Sequence, residues 1–102
     1  MIHVIARIKA AAGRRGDLVD AFHQLLPEVH AEAGCVAYAP AIDVDAGLDR
    51  FESAEPDVVT MVERWETVAH LQAHLAAPHM ARFREKTGDL VVGAELRIFE
   101  DA

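Results

Sequence analysis

The sequence is short of the residues from which several kinds of chemistry are built. Cys35 is its single cysteine, which excludes a disulfide within the chain and any cysteine-built zinc cage, and a reducing cytoplasm fits. Lys and Arg number 10 against 17 Asp and Glu, a net charge of -7. With no basic run longer than Arg14-Arg15, a phosphate backbone would be repelled, and nucleic acid is not an expected partner. No apolar run approaches the roughly 18 residues of a membrane span. The opening MIHVIARIK lacks a basic leader followed by an apolar stretch and cleavage site. The expectation is a soluble, unprocessed, cytoplasmic protein with no membrane partner. Repeats, low-complexity tracts and linkers are absent too, so residues 1–102 read as one domain.

Apolar side chains, by contrast, are abundant. They make up 52% of the residues, above the ordinary level. A chain of this size buries only roughly 60 to 68% of its unfolded surface. The surplus favours either an oligomer or an apolar cavity.

Alternation with period two marks Ile2 to Lys9 as a half-buried strand. After a small-residue loop Asp17 is placed to cap a helix, in which Leu18, Phe22, Leu25, Leu26 and Val29 recur at helical spacing. Pro27 should disturb that helix, and Gly34 supplies a left-handed stop. Cys35 to Val44 reads as a second strand, with Pro40 demanding an edge or bulge. Asp45-Ala46-Gly47 marks a turn, Leu48 to Phe51 a brief extension of pairing, and Ser53 to Asp57 a second turn. Val58 to Glu66 is the strongest strand, apolar on both faces and therefore covered on both. Thr67 is a good N-cap for a helix from Val68 to Ala76 whose core face is Val68, Leu71 and Leu75. Pro78 ends it, and a short helix from His79 to about Lys86 uses Met80 and Phe83 as apolar contacts. Leu90 to Glu100 is the last strand. The order βαββαβ predicts a ferredoxin-like α+β fold. Helices cover one face of such a sheet; a second copy packed sheet to sheet is the simplest cover for the other, which predicts a homodimer.

The stretch Val62 to Phe83 gathers the one Trp and three of the six His. His70 and His74 stand four apart on one helix face, and His79 follows the break at Pro78. Three imidazoles could bind zinc, but HxxxH without an adjacent acid is weak evidence, and no metal is expected. A His that lines an apolar cavity is a candidate general base, and His74 and His79 are the nominees. The competing reading for each is a satisfied structural imidazole. Trp65, Tyr38, Met61, Met80 and Phe83 would form a flat aromatic-lined slot if the helices stand off the sheet. On residue type alone, core packing is favoured for them. Cys35 reads as packing filler.

The runs AGCVAYAP (Ala33 to Pro40), VERWETVAHLQAHLAAPHMARF (Val62 to Phe83) and the opening VIARIKAAAGRRGDLVDAF resemble the antibiotic biosynthesis monooxygenase superfamily, and most of all its small quinol monooxygenases. The resemblance covers nearly the whole chain. It implies a dimeric α+β barrel with an active cavity between sheet and helices. There a reduced quinone or polycyclic phenol would be oxidised by dioxygen with no metal, flavin or other cofactor. On that pattern Trp65, His74 and His79 match the family's cavity positions, and Tyr38 falls in the matching strand-two run. The expected catalytic residues are therefore His74, His79 and Trp65, and the expected substrate contacts are Tyr38, Met61, His70, Met80 and Phe83. Haem-degrading relatives rely on an Asn in strand one, which Ile2 to Lys9 lacks. Two other readings stand beside this one: an isomerase of phosphorylated autoinducer sugars, and a dimeric small-molecule binder without turnover.

Overall fold

A computed structural model describes residues 1–102. Its elements are β1 (Ile2–Ala10), α1 (Arg15–His30), β2 (Cys35–Ile42), β3 (Val58–Trp65), α2 (Val68–Leu75), α3 (Pro78–Lys86) and β4 (Val91–Glu100). The strands form one antiparallel sheet in the order β2-β3-β1-β4, the ferredoxin-like arrangement with a divided second helix.

Register assigns the side chains to faces, because residues directly opposite one another across antiparallel strands point the same way. One row reads Tyr38, Glu63, Val4, Ile98, and the next Pro40, Met61, Ala6, Leu96. These rows face the helices. Leu18, Phe22, Leu25 and Val29 of α1 meet Val4, Ala6, Val59, Met61 and Trp65 of the sheet in a single core. The opposite face carries Ala39, Val62, Ile5 and Arg97 in one row, with no helix over it.

Several local expectations give way to tertiary context. The helix α1 begins at Arg15 with Arg14 in the cap position, and Asp17 does not cap it. Instead, Asp17 accepts a 2.6 Å bond from Arg14 Nε inside the first turn, where a carboxylate also suits the helix dipole. Pro27 lies in the last turn, and the helix ends three residues on at His30. β2 stops at Ile42 rather than Val44, because Ile42 pairs with Val59 and β3 offers only Val58 beyond it. Pro40 sits on that edge strand, where its missing N–H is tolerated. Leu48 to Phe51 forms no strand; Leu48 and Phe51 are exposed and Arg50 has a positive φ. In α2 the expected face is wrong by part of a turn. Val68 and Leu75 are about half exposed, while Leu71 and His74 are buried. The pair at i and i+3 faces inward because His74 finds a carboxylate there.

Candidate active site

Two turns and two short helices assemble the site. At the end of α1 the Ala31 and Glu32 amides bond back to the Pro27 and Val29 carbonyls. Gly34 then reverses the chain at φ +78, a conformation that suits a residue without Cβ. A Cβ at Gly34 would stand 2.2 Å from His70 Cγ. This turn fixes Glu32 above the end of the sheet. Thr67 caps α2 by accepting from the His70 amide at 3.2 Å, and its hydroxyl lies 2.8 Å from His70 Nδ1. Pro78 is the first residue of α3, where its ring is compatible with helix geometry, and so His79 sits in the first turn.

The two histidines meet at one carboxylate oxygen. His74 Nδ1 and His79 Nε2 each lie 2.8 Å from Glu32 Oε2. A carboxylate accepts, so both ring nitrogens donate, which settles the neutral tautomer of each ring. His74 is left with its lone pair on Nε2, which bonds to no other group of the chain. His79 turns Nδ1 outward, 3.8 Å from Glu28 Oε2. His74 is 2% exposed, whereas the His79 and Glu32 side chains are 15% and 13% exposed. The group is therefore largely enclosed, with His79 and Glu32 its more exposed members.

Around His74 the aromatic rings close in. Its centroid is 4.6 Å from Trp65 and 5.3 Å from Tyr38, and those two rings are 6.5 Å apart, edge to face. Trp65 Nε1 donates to Glu63 Oε1 at 3.0 Å. Burial pushes the Glu63 carboxyl up to about 7; the Trp65 bond opposes the rise and Glu32 adds to it. Burial, and then the charges of Glu63 and Glu32, push the Tyr38 phenol up, so it stays protonated. The Cys35 thiol is raised by burial and by the same two carboxylates, which leaves it a poor nucleophile.

Of the residues singled out from sequence, Trp65, His74, His79 and Tyr38 come together, and Met61 and Met80 pack in the same core. His70 is elsewhere, engaged at the start of α2. Phe83 lies toward the other end, its ring 4.7 Å from Phe22. The open slot expected between sheet and helices is filled: Trp65, Met61, Tyr38 and Met80 are all buried against their neighbours. A surface hollow of about 340 Å³ runs instead between α1 and α3, bordered by Glu28, His79, Arg82 and Phe83. Glu32 and Glu63 stand outside the residues nominated from sequence, where helical spacing leaves Glu32 for water and Glu63 reads as an ion-pair or interface residue. Glu63 held a signal, since it shares a face with Met61 and Trp65 in the strand alternation; Glu32 stands 42 and 47 residues from its partners and held none.

This arrangement defines a class: an antiparallel α+β domain with a buried imidazole, oriented by a carboxylate, beside an indole and a phenol. The model of the antibiotic biosynthesis monooxygenase family matches residues 1–86, and the chain belongs to that family, which gives it a monooxygenase role in class. It is 40% identical over 102 residues to the Escherichia coli protein named "Probable quinol monooxygenase YgiN", an alignment spanning 98% of this chain and 97% of that one. Among solved structures, PA3566 from Pseudomonas aeruginosa superposes with a TM-score of 0.79 at 27% identity, covering 99% of this chain and 93% of its own. Rv0793 from Mycobacterium tuberculosis shares the fold with a TM-score of 0.77 at 22% identity, covering 99% and 94%.

Proposed function

We propose that this protein is a cofactor-free monooxygenase or quinol oxidase that uses dioxygen on a small reduced quinone or polycyclic phenol, as a homodimer. The observation that carries the reading is the Glu32–His74 pair beside Trp65. Glu32 holds the Nδ1 proton of His74, so the Nε2 lone pair is available to take a proton from a substrate hydroxyl. The resulting phenolate is electron-rich enough to pass an electron to dioxygen. Oxidation of a quinol to its quinone reduces dioxygen to hydrogen peroxide; insertion of one oxygen atom into a ring methylene to give a carbonyl releases water. Trp65 and Tyr38 supply flat faces for an aromatic substrate, and the apolar surroundings keep the charged intermediates away from water.

Because the core is closed, the substrate enters by displacing packed side chains at the α2 and α3 side of Trp65. The single tryptophan reports that event, and quinone binding should quench its fluorescence. The decisive assay is metal-stripped protein with a reduced naphthoquinone under air, following oxygen uptake and peroxide. Catalysis above autoxidation supports the reading, and His74→Asn should lower the rate on the order of 10²-fold. A rate equal to autoxidation overturns it. His74→Asn and His79→Ala variants that quench normally and lose turnover separate an enzyme from a mere binder. The sugar-phosphate isomerase reading is disfavoured by the site's own charge, since an anionic ligand beside the aromatic group would meet the Glu32 carboxylate.

A further inference from the structure

We propose that Glu32, His74 and His79 form a binding site for one divalent transition ion of the zinc type. The ligand atoms already converge. One oxygen and two imidazole nitrogens lie within 4.8 Å of one another, and both nitrogens stand 2.8 Å from the oxygen. An ion at ~2.0 to 2.1 Å from each atom needs its ligands about 3.3 Å apart in a tetrahedral arrangement, so the rings must retreat from Glu32 by about half an ångström and their two nitrogens, which lie within 4.8 Å of each other, must settle at that same spacing. Two imidazoles and a carboxylate suit zinc, cobalt or nickel and not magnesium or calcium, which prefer oxygen throughout.

Outer contacts and access fit as well. To bind at Nε2, His79 must carry its proton on Nδ1, and that nitrogen faces Glu28 Oε2 at 3.8 Å. At 3.8 Å the two are not yet hydrogen-bonded; a small approach of the Glu28 side chain would place a carboxylate behind the metal-bound imidazole, the contact that fixes such a tautomer. The hollow bordered by Glu28, His79 and Arg82 leads from solvent to His79, the most exposed imidazole of the pair, and gives the ion a path in. The three ligands come from the α1–β2 turn, α2 and α3, so a bound ion would tie together elements that the chain joins only through loops.

Binding is independent of the oxidation reading, and one consequence rests on that reading. An ion on His74 Nδ1 moves the ring proton to Nε2, which removes the lone pair proposed as the base. The ion would therefore inhibit.

The test is titration of metal-stripped protein with Zn²⁺ by calorimetry and with Co²⁺ by visible absorption. One ion per chain is expected, with tetrahedral cobalt bands. Glu32→Gln and His79→Ala, both at partly exposed positions and so less disruptive than a change at His74, should each weaken binding at least about tenfold. His23→Ala should leave it unchanged. Absence of binding, or affinity that survives both ligand substitutions, overturns the proposal. So does affinity lost in His3→Ala, which would assign the ion to the His3–Asp101 pair at the N-terminus. Stoichiometric binding without inhibition would retain the site and count against His74 as the base.

Discussion

Glu63 is the residue whose environment departs furthest from what a carboxylate prefers. It is 6% exposed, its one recorded bond comes from the Trp65 indole, and its carboxyl is raised from 4.5 to about 7, chiefly by burial. Between those two pH values the folded chain holds a proton that the unfolded chain has released. Stability from this group is therefore full below pH 4.5 and is lost as pH rises toward 7. The shift corresponds to about 3 kcal/mol. Glu63→Gln keeps an oxygen for Trp65 and removes the titration. Its thermal midpoint should exceed wild type at pH 8 and match it near pH 4, as scanning calorimetry across that range would show. Equal differences at both pH values would mean that folding leaves the Glu63 carboxyl unshifted. Glu32 differs in kind, since two imidazole N–H groups satisfy it. Glu32→Gln retains the side chain's shape but offers an amide that can present N–H to the rings. Turnover should fall about tenfold to a hundredfold with the fold intact by circular dichroism, while substrate binding read from Trp65 fluorescence changes little.

At the scale of elements, the site depends on where short helices begin. α2 has eight residues, too few to persist without tertiary support, and its N-cap is Thr67. Thr67→Ala should cost about 1 kcal/mol, read as a lower denaturant midpoint at unchanged slope, and should also free the His70 ring held by the same hydroxyl. Most of these elements were legible in the sequence, because strand alternation, the Gly34 reversal and the Thr67 and Pro78 boundaries are local signals. The rotation of α2 was not. Apolar periodicity chose Val68 and Leu75 for the core, whereas His74 took the inward place because Glu32 makes its burial tolerable. That carboxylate arrives from a turn remote in sequence, and no spacing rule reaches so far. The same reasoning explains the missing slot: Trp65 and Tyr38 were visible as a pair of aromatics, but whether two helices stand off a sheet or settle onto it depends on the packing of Met61, Leu71 and Met80 together.

For the whole molecule, the accounting is between layers. The domain measures 38 × 36 × 20 Å, the thickness of one sheet and one layer of helices. Only 18 of its 102 residues are buried, too few to absorb a composition that is 52% hydrophobic. Part of the surplus lies on the uncovered face, where Ile5 and Val62 stand opposite each other and Phe99 adjoins His3, with Val62 42% and Phe99 45% exposed. More lies along β4, whose Leu96 and Ile98 point to the helix side beyond the helices' reach. A second copy meeting this one sheet to sheet would bury the first group and give Val62 the cover that a strand apolar on both faces requires. Arg64 and Arg97 border the same patch, so another cation there would repel its neighbours as well as its symmetry mate. Val62→Lys should shift the mass measured by equilibrium sedimentation from dimer to monomer and leave the Glu32–His74–His79 group, on the other side of the sheet, able to bind Zn²⁺. A wild-type chain that sediments as a monomer would show that this face is not the one a partner covers.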